Sequence, residues 1–180
     1  MPETPLFGIT GWKNTGKTTL LAALVTELTA RGLRISTVKH AHHAFDIDEE
    51  GRDSWKHRKA GSHETLVSSG RRWALMHELG EEEPELSLKE IAAHMSPCDL
   101  ILVEGYKRDS HPKIEVLGSA MVTDDPIWTA DPSVVAVASD TPQSGCRLPI
   151  FDRNDVAAIA SFIVRHLDLP KNRNARDAAQ

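Results

Sequence analysis

Cysteine is scarce in this chain: Cys98 and Cys146 are the only two in 180 residues, and neither belongs to a C-x-x-C pair. A disulfide framework and a thiolate metal site are therefore not expected. Basic excess is also lacking. Twenty-one Lys and Arg face 26 Asp and Glu, for a net charge of −5, so the chain cannot neutralise many phosphates and bulk nucleic-acid binding is excluded. No apolar run approaches the ~20 residues that cross a bilayer, so no membrane partner is expected. The opening Met1-Pro2-Glu3-Thr4-Pro5 lacks the basic and apolar regions of a signal peptide, and the expected location is the cytoplasm. Internal repeats, low-complexity tracts and the guanine-reading N-K-x-D motif are all missing. What remains, 40% apolar and 26% charged residues, is the composition of an ordinary globule. One domain is expected over residues 1–168, followed by a polar tail at 169–180.

Residues 11–18 read Gly11-Trp12-Lys13-Asn14-Thr15-Gly16-Lys17-Thr18, a complete G-x-x-x-x-G-K-[ST] loop. The apolar stretch Leu6-Phe7-Gly8-Ile9-Thr10 leads in and a helical stretch leads out, which is the context a phosphate-cradling loop requires. Gly11 and Gly16 permit backbone angles that turn successive N–H groups toward one point, and the helix N-terminus adds its positive dipole. The candidate nucleotide contacts run from Gly11 through Thr18 to Thr19. Lys17 is expected to reach the β- and γ-phosphates, and Thr18 to give its hydroxyl to Mg²⁺.

Apolar spacing at Leu20, Leu21, Leu24, Val25 and Leu28 predicts a helix over 17–31, stopped by Gly32, and a second strand follows at 34–39. The polar stretch 40–61 reads as a functional loop or insert. Residues 64–69 and 71–76 read as a hairpin appended to the main sheet. Residues 78–85 form an acidic connection, and Ser87-x-x-Glu90 has capping-box spacing for a short helix. The run Leu100-Ile101-Leu102-Val103 predicts a central parallel strand covered on both faces. Strands at 114–117 and 134–138 and a helix to about Leu167, capped by Asp152 or Asn154, complete the pattern. The fold class expected is α/β: a three-layer P-loop NTPase domain with a mostly parallel sheet and a small antiparallel hairpin extension. Ligands of such sheets sit beyond the carboxyl ends of the strands, where the phosphate loop, His40, Glu104 and Ser139-Asp140 should gather.

Glu104 ends the buried strand, where P-loop proteins place the acid of the Mg²⁺ shell. It is the candidate catalytic residue, and with Thr18 the candidate metal pair; it can instead act through water, or simply hold a loop. Asp99, five residues earlier, is too far along an extended strand to share that metal and reads as the residue that opens it. Lys39-His40-Ala41-His42-His43 with Asp46, Asp48 and Asp53 can ligate a transition metal, meet phosphate, or form a polar lid. Lys56, His57, Arg58 and Lys59 can meet an anionic substrate or form an exposed face. Lys107 and Arg108 can reach anionic groups or remain loop charges. Ser139 and Asp140 follow a strand end where a base is commonly recognised, and a carboxylate can accept both N–H groups of the guanine edge.

The phosphate loop, the segment Lys39-His40-Ala41-His42-His43-Ala44-Phe45-Asp46-Ile47-Asp48 with Gly51, Asp53, Ser54 and Arg58-Lys59-Ala60-Gly61, and Asp99 to Lys107 together resemble the MobB family, the molybdopterin-guanine dinucleotide biosynthesis protein B. The resemblance reaches about Leu167. It implies a GTP-binding homodimer with weak GTPase activity, accessory to a nucleotidyltransferase, MobA, that joins GMP to molybdopterin; molybdopterin itself is a further candidate ligand. It supports Gly11, Gly16, Lys17 and Thr18 as nucleotide contacts, and the 40–53 loop, with His40, Asp46 and Asp53, and Glu104 as parts of the site. Trp12 and Lys13 depart from the small residues common at these loop positions; they can shield the nucleotide or meet a partner. A small-molecule kinase and a metal-insertion GTPase remain as alternatives. The first calls for an arginine-bearing lid, and the second normally carries N-K-x-D.

Overall fold

A computed structural model describes residues 4–41, 45–80, 82–118 and 125–170. His42 and His43, and the tail beyond residue 170, lie outside them. In chain order the elements are β1 (Leu6–Thr10), α1 (Lys17–Ala30), β2 (Ile35–Lys39), α2 (Asp53–Lys59), β3 (Glu64–Ser68) and β4 (Trp73–His77). There follow α3 (Leu88–Ala93), β5 (Leu100–Glu104), β6 (Lys113–Leu117), β7 (Val134–Ser139), β8 (Ile150–Phe151) and α4 (Val156–His166). The residues form two compact units, Met1–His40 with Ala92–Gln180, and Ala41–Ile91.

In the larger unit six parallel strands lie in the order β2-β5-β1-β6-β7-β8. Alternation along each strand divides its residues between two faces. Phe7 and Ile9 of β1, Leu100 and Leu102 of β5, Ile114 and Val116 of β6, and Ala136 and Ala138 of β7 pack with Leu20, Leu24 and Leu28 of α1 and Ile159, Ala160 and Ile163 of α4. These α1 leucines are the stripe that the three- and four-residue spacing predicts, each worth about 1.5–3 kcal/mol when fully buried. The opposite face is more polar. Gly8, Thr10, Lys113 and Glu115 alternate with the core residues there, and Lys113 and Glu115 are completely buried. Asp99 accepts a hydrogen bond from the Arg34 amide at 2.7 Å and so ties the start of β5 beside β2, as a strand-opening residue should.

Two local expectations need correction, and one strand left no sequence signal. The antiparallel β3–β4 pair is a sheet of its own and not an extension of the six strands. The cap of α4 is Asp155, whose carboxylate accepts from the Ala158 amide at 3.0 Å; Asp152 is engaged one turn earlier, accepting from the Asn154 amide at 2.7 Å. The two-residue strand β8 is too short to leave any periodic signal. The capping box at Ser87 and Glu90 is present, with the Glu90 carboxylate accepting from the Ser87 amide at 2.8 Å.

Candidate functional site

The backbone turns out of β1 at Gly11, where φ is 141°; a Cβ at this position would lie 2.5 Å from the Val116 carbonyl oxygen. Gly16 caps α1 in the left-handed region at φ 93°, with no side-chain cap. The N–H groups of the first turn therefore face outward and can be offered to an anion. Lys13 and Asn14 are exposed at the tip, Asn14 itself left-handed at φ 63°. The hydroxyl of buried Thr15 and the ammonium of Lys17 both donate to the Trp12 carbonyl, so the loop closes on itself. Burial pushes the Lys17 pKa down, and the neighbouring Lys107 ammonium adds to that, partly opposed by Glu104. A phosphate chain set beside Lys17 would relieve this.

Parallel pairing of β1 with β5 brings Glu104 beside the start of α1. The Thr18 hydroxyl donates to both carboxylate oxygens of Glu104, at 2.9 and 3.1 Å, and Lys39 lies 3.7 Å from the same group. The paired hydroxyl and carboxylate are hard oxygen donors of the kind Mg²⁺ takes alongside phosphate and water. His40 follows β2; its amide donates to the Glu104 carbonyl at 2.9 Å and its ring tilts against Tyr106 at 4.8 Å between centroids. Lys107 sits over the Trp12 ring at 4.4 Å, a cation–π contact, and the Trp12 indole donates to the Asp125 carbonyl at 3.1 Å. Thr19 is exposed on the first turn of α1.

Ser139 ends β7 and Asp140 follows it. The Ser139 hydroxyl accepts from the Thr141 amide and the Gln143 side chain, at 3.2 and 2.9 Å. Both carboxylate oxygens of Asp140 are held by Arg153, whose third nitrogen donates to the Thr15 carbonyl at 2.9 Å. Sequence reasoning missed Arg153: its polar neighbourhood reads as a capping segment, and no local spacing signals a partner thirteen residues back.

In the Ala41–Ile91 unit the order is set by one arginine. Arg58 on α2 pairs with Asp46 at 2.7 Å, Asp48 at 3.4 Å and Glu78 at 2.8 Å. Asp46 is held below the usual carboxylate range by the Arg58 hydrogen bonds and then the Asp48 amide. Asp53 opens α2 and pairs with Lys56 at 3.2 Å. Among the described residues, no three His, Cys, Asp or Glu gather as a metal site.

The polar sheet face holds a second set of residues with no sequence signal. Lys113 donates to the carbonyls of Lys107 and Asp109 and to Asp131 at 3.1 Å. Glu115 accepts from the Ile127 and Trp128 amides, both at 2.9 Å, while burial raises its pKa. Burial and the Lys113 charge lower that of His111, neither of whose ring nitrogens meets a partner among the described residues.

A glycine-punctuated phosphate loop between the first strand and helix of a parallel sheet, with a hydroxyl–carboxylate pair beyond two adjacent strand ends, defines a P-loop nucleotide-binding protein. Residues 6–140 match the model of the family described as Molybdopterin guanine dinucleotide synthesis protein B, MobB, and the chain belongs to that family. It is 44% identical over 162 residues to the molybdopterin-guanine dinucleotide biosynthesis adapter protein of Escherichia coli strain K12, covering 89% of this chain and 91% of that one. It is 40% identical over 163 residues to the adapter protein of the same name from Haemophilus influenzae, with 89% and 88% covered. A crystal structure of molybdopterin-guanine biosynthesis protein B superposes with a TM-score of 0.69 at 26% identity, over 91% of this chain and 99% of that one.

Proposed function

We propose that this chain is a cytoplasmic, GTP- and Mg²⁺-binding accessory protein that assists a nucleotidyltransferase, MobA, in attaching GMP to molybdopterin. The observation that carries the reading is the contact between the Thr18 hydroxyl and the Glu104 carboxylate at the mouth of an intact phosphate loop. In it Gly11 to Thr19 cradle the phosphates, Lys17 neutralises them, and Thr18 and Glu104 hold the cation, which when bound offsets phosphate charge. Glu104, its side chain only 13% exposed and close to Lys39, is also the group that orients water in a slow GTPase. His40 and Lys107 serve the same site, and Asp46 and Asp53, in the Ala41–Ile91 unit, serve the incoming pterin.

The protein acts as a homodimer. Leu66 and Leu75 face each other across β3 and β4, next to Trp73, and all three are largely exposed. A two-stranded sheet is marginally stable alone, and a second copy laid on this apolar face would stabilise it. The test is calorimetric titration with GTP and Mg²⁺ together with a reconstituted assay containing MobA, GTP and molybdopterin. Saturable Mg²⁺-dependent binding and stimulated cofactor formation are expected. Absence of nucleotide binding sinks the proposal.

A further inference from the structure

We propose that the guanidinium of Arg153 is the platform of a nucleoside subsite, offering its flat face to a purine, and that Asp140 acts on the base only through it. The inference rests on the reading of the loop as a triphosphate site. Arg153 lies between β8 and α4, against the back of the phosphate loop; a Cβ placed on Gly16 would be 3.1 Å from its Nη1. Its Nε donates to Asp140 at 3.0 Å, Nη2 donates to the other oxygen of the same carboxylate, and Nη1 donates to the Thr15 carbonyl at 2.9 Å. Both partners of the ion pair are about a quarter exposed, at 28% and 23%.

Beside this clamp opens a cavity of about 270 Å³, lined by Arg153 with Thr19, Leu20, Ala23, Asn154 and Val156. Sheet order fixes which part of a nucleotide reaches it. Glu104, with Thr18, lies on the β5 side of β1, whereas Asp140 follows β7, two strands away on the other side. A triphosphate whose γ end meets Lys17 and the Thr18–Glu104 pair must send its nucleoside in the opposite direction, over the first turn of α1. That path leads into the cavity.

The hydrogen bonds decide what Arg153 can read there. Three of its five N–H bonds, one on each nitrogen, are committed in the plane of the group, to Asp140 and to Thr15, and they fix that plane. An incoming base meets the face, where stacking and cation–π attraction operate. Stacking on a face tolerates any base but favours the larger ring. Arg153 therefore supplies a preference for purines over pyrimidines, not for guanine over adenine. Asp140, with both oxygens on Arg153, is a positioning residue that holds the platform flat.

The experiment titrates the full chain with GTP, ATP, UTP and inorganic tripolyphosphate in the presence of Mg²⁺. In the wild type GTP and ATP should bind about tenfold more tightly than UTP, the scale of one stacked base. Arg153→Ala should bring all three nucleotides to one common level, at or below that of UTP in the wild type, while tripolyphosphate affinity stays within about twofold. Arg153→Lys keeps the charge but loses the plane and should behave like the alanine variant; Asp140→Asn should reduce the purine preference in part, again sparing tripolyphosphate. Equal GTP and UTP affinity in the wild type overturns the proposal, as does a purine preference surviving in Arg153→Ala or Arg153→Lys. A parallel loss of tripolyphosphate in Arg153→Ala also overturns it, because the arginine would then only brace Thr15. In each of these cases the triphosphate site itself stands. A wild type that binds neither GTP nor tripolyphosphate overturns both readings.

Discussion

Lys113→Met tests whether the buried charges of the polar sheet face hold the site in place. Lys113 is completely buried and donates to two carbonyls of the loop that follows β5, those of Lys107 and Asp109, and to the Asp131 carboxylate. Methionine fills a similar space but withdraws a donor from three acceptors at once, of which the Asp131 carboxylate and the Asp109 carbonyl keep Ser133. An unsatisfied buried acceptor costs about 1–3 kcal/mol, and removing one partner of a buried ion pair about 3–5 kcal/mol. Relief of the lysine's own desolvation offsets part of the sum, so a loss of about 4 kcal/mol is expected, a large part of the ~5–15 kcal/mol a domain possesses. At ~2–4 °C per kcal/mol for a chain of this size, the melting temperature should fall by about 10 °C. The loop also carries Lys107 over Trp12, so GTP affinity should weaken, though by less. The pH dependence has a definite sign. Burial pushes the Asp131 carboxyl up, but hydrogen bonds from Ser133 and Lys113 outweigh it and hold the group below its ordinary value of 3.8. Asp131 thus contributes stability above that value and loses it as pH falls through the depressed folded value. In Lys113→Met this acid-dependent loss should shrink. Thermal unfolding followed by circular dichroism across acid pH, with GTP titration in parallel, reads all three effects. A melting shift below about 2 °C with an unchanged acid profile would refute the reasoning.

Lys17→Ala should weaken GTP–Mg²⁺ binding by at least about thirtyfold, the loss of a charge-assisted contact, with little change in melting temperature; unchanged calorimetric affinity would reduce the loop to a turn. Glu104→Gln keeps the shape and removes the charge, so phosphate release should slow more than GTP affinity falls, and a wild-type rate of release would make the residue structural. His111→Gln should flatten the melting profile below about pH 6.5. Burial and Lys113 depress the folded pKa of His111, so the wild type loses stability as the unfolded chain takes up the proton, and equal slopes would show a normally titrating ring.

The phosphate loop was legible because its chemistry is local. Gly11 and Gly16 sit at positive φ within one short turn, and a run of eight letters suffices to specify it. Glu104 was legible for a related reason: an apolar run of four ends in an acid, and parallel strands deliver their ends to one rim. The α1 leucines and the β3–β4 pairing follow from periodicity in the same way. Arg153, Lys113, Glu115 and Arg58 were not legible, since each owes its role to partners that only the tertiary fold supplies. Asp140 shows the boundary most clearly. Its position after β7 could be read, and with it the expectation of a free carboxylate facing a base. Whether that carboxylate is free depends on Arg153, which reaches it only because β8 and the cap of α4 turn the chain back toward the phosphate loop. A strand-end acid in this fold is therefore a statement about location, and its chemistry belongs to whichever cation the next crossover returns to it.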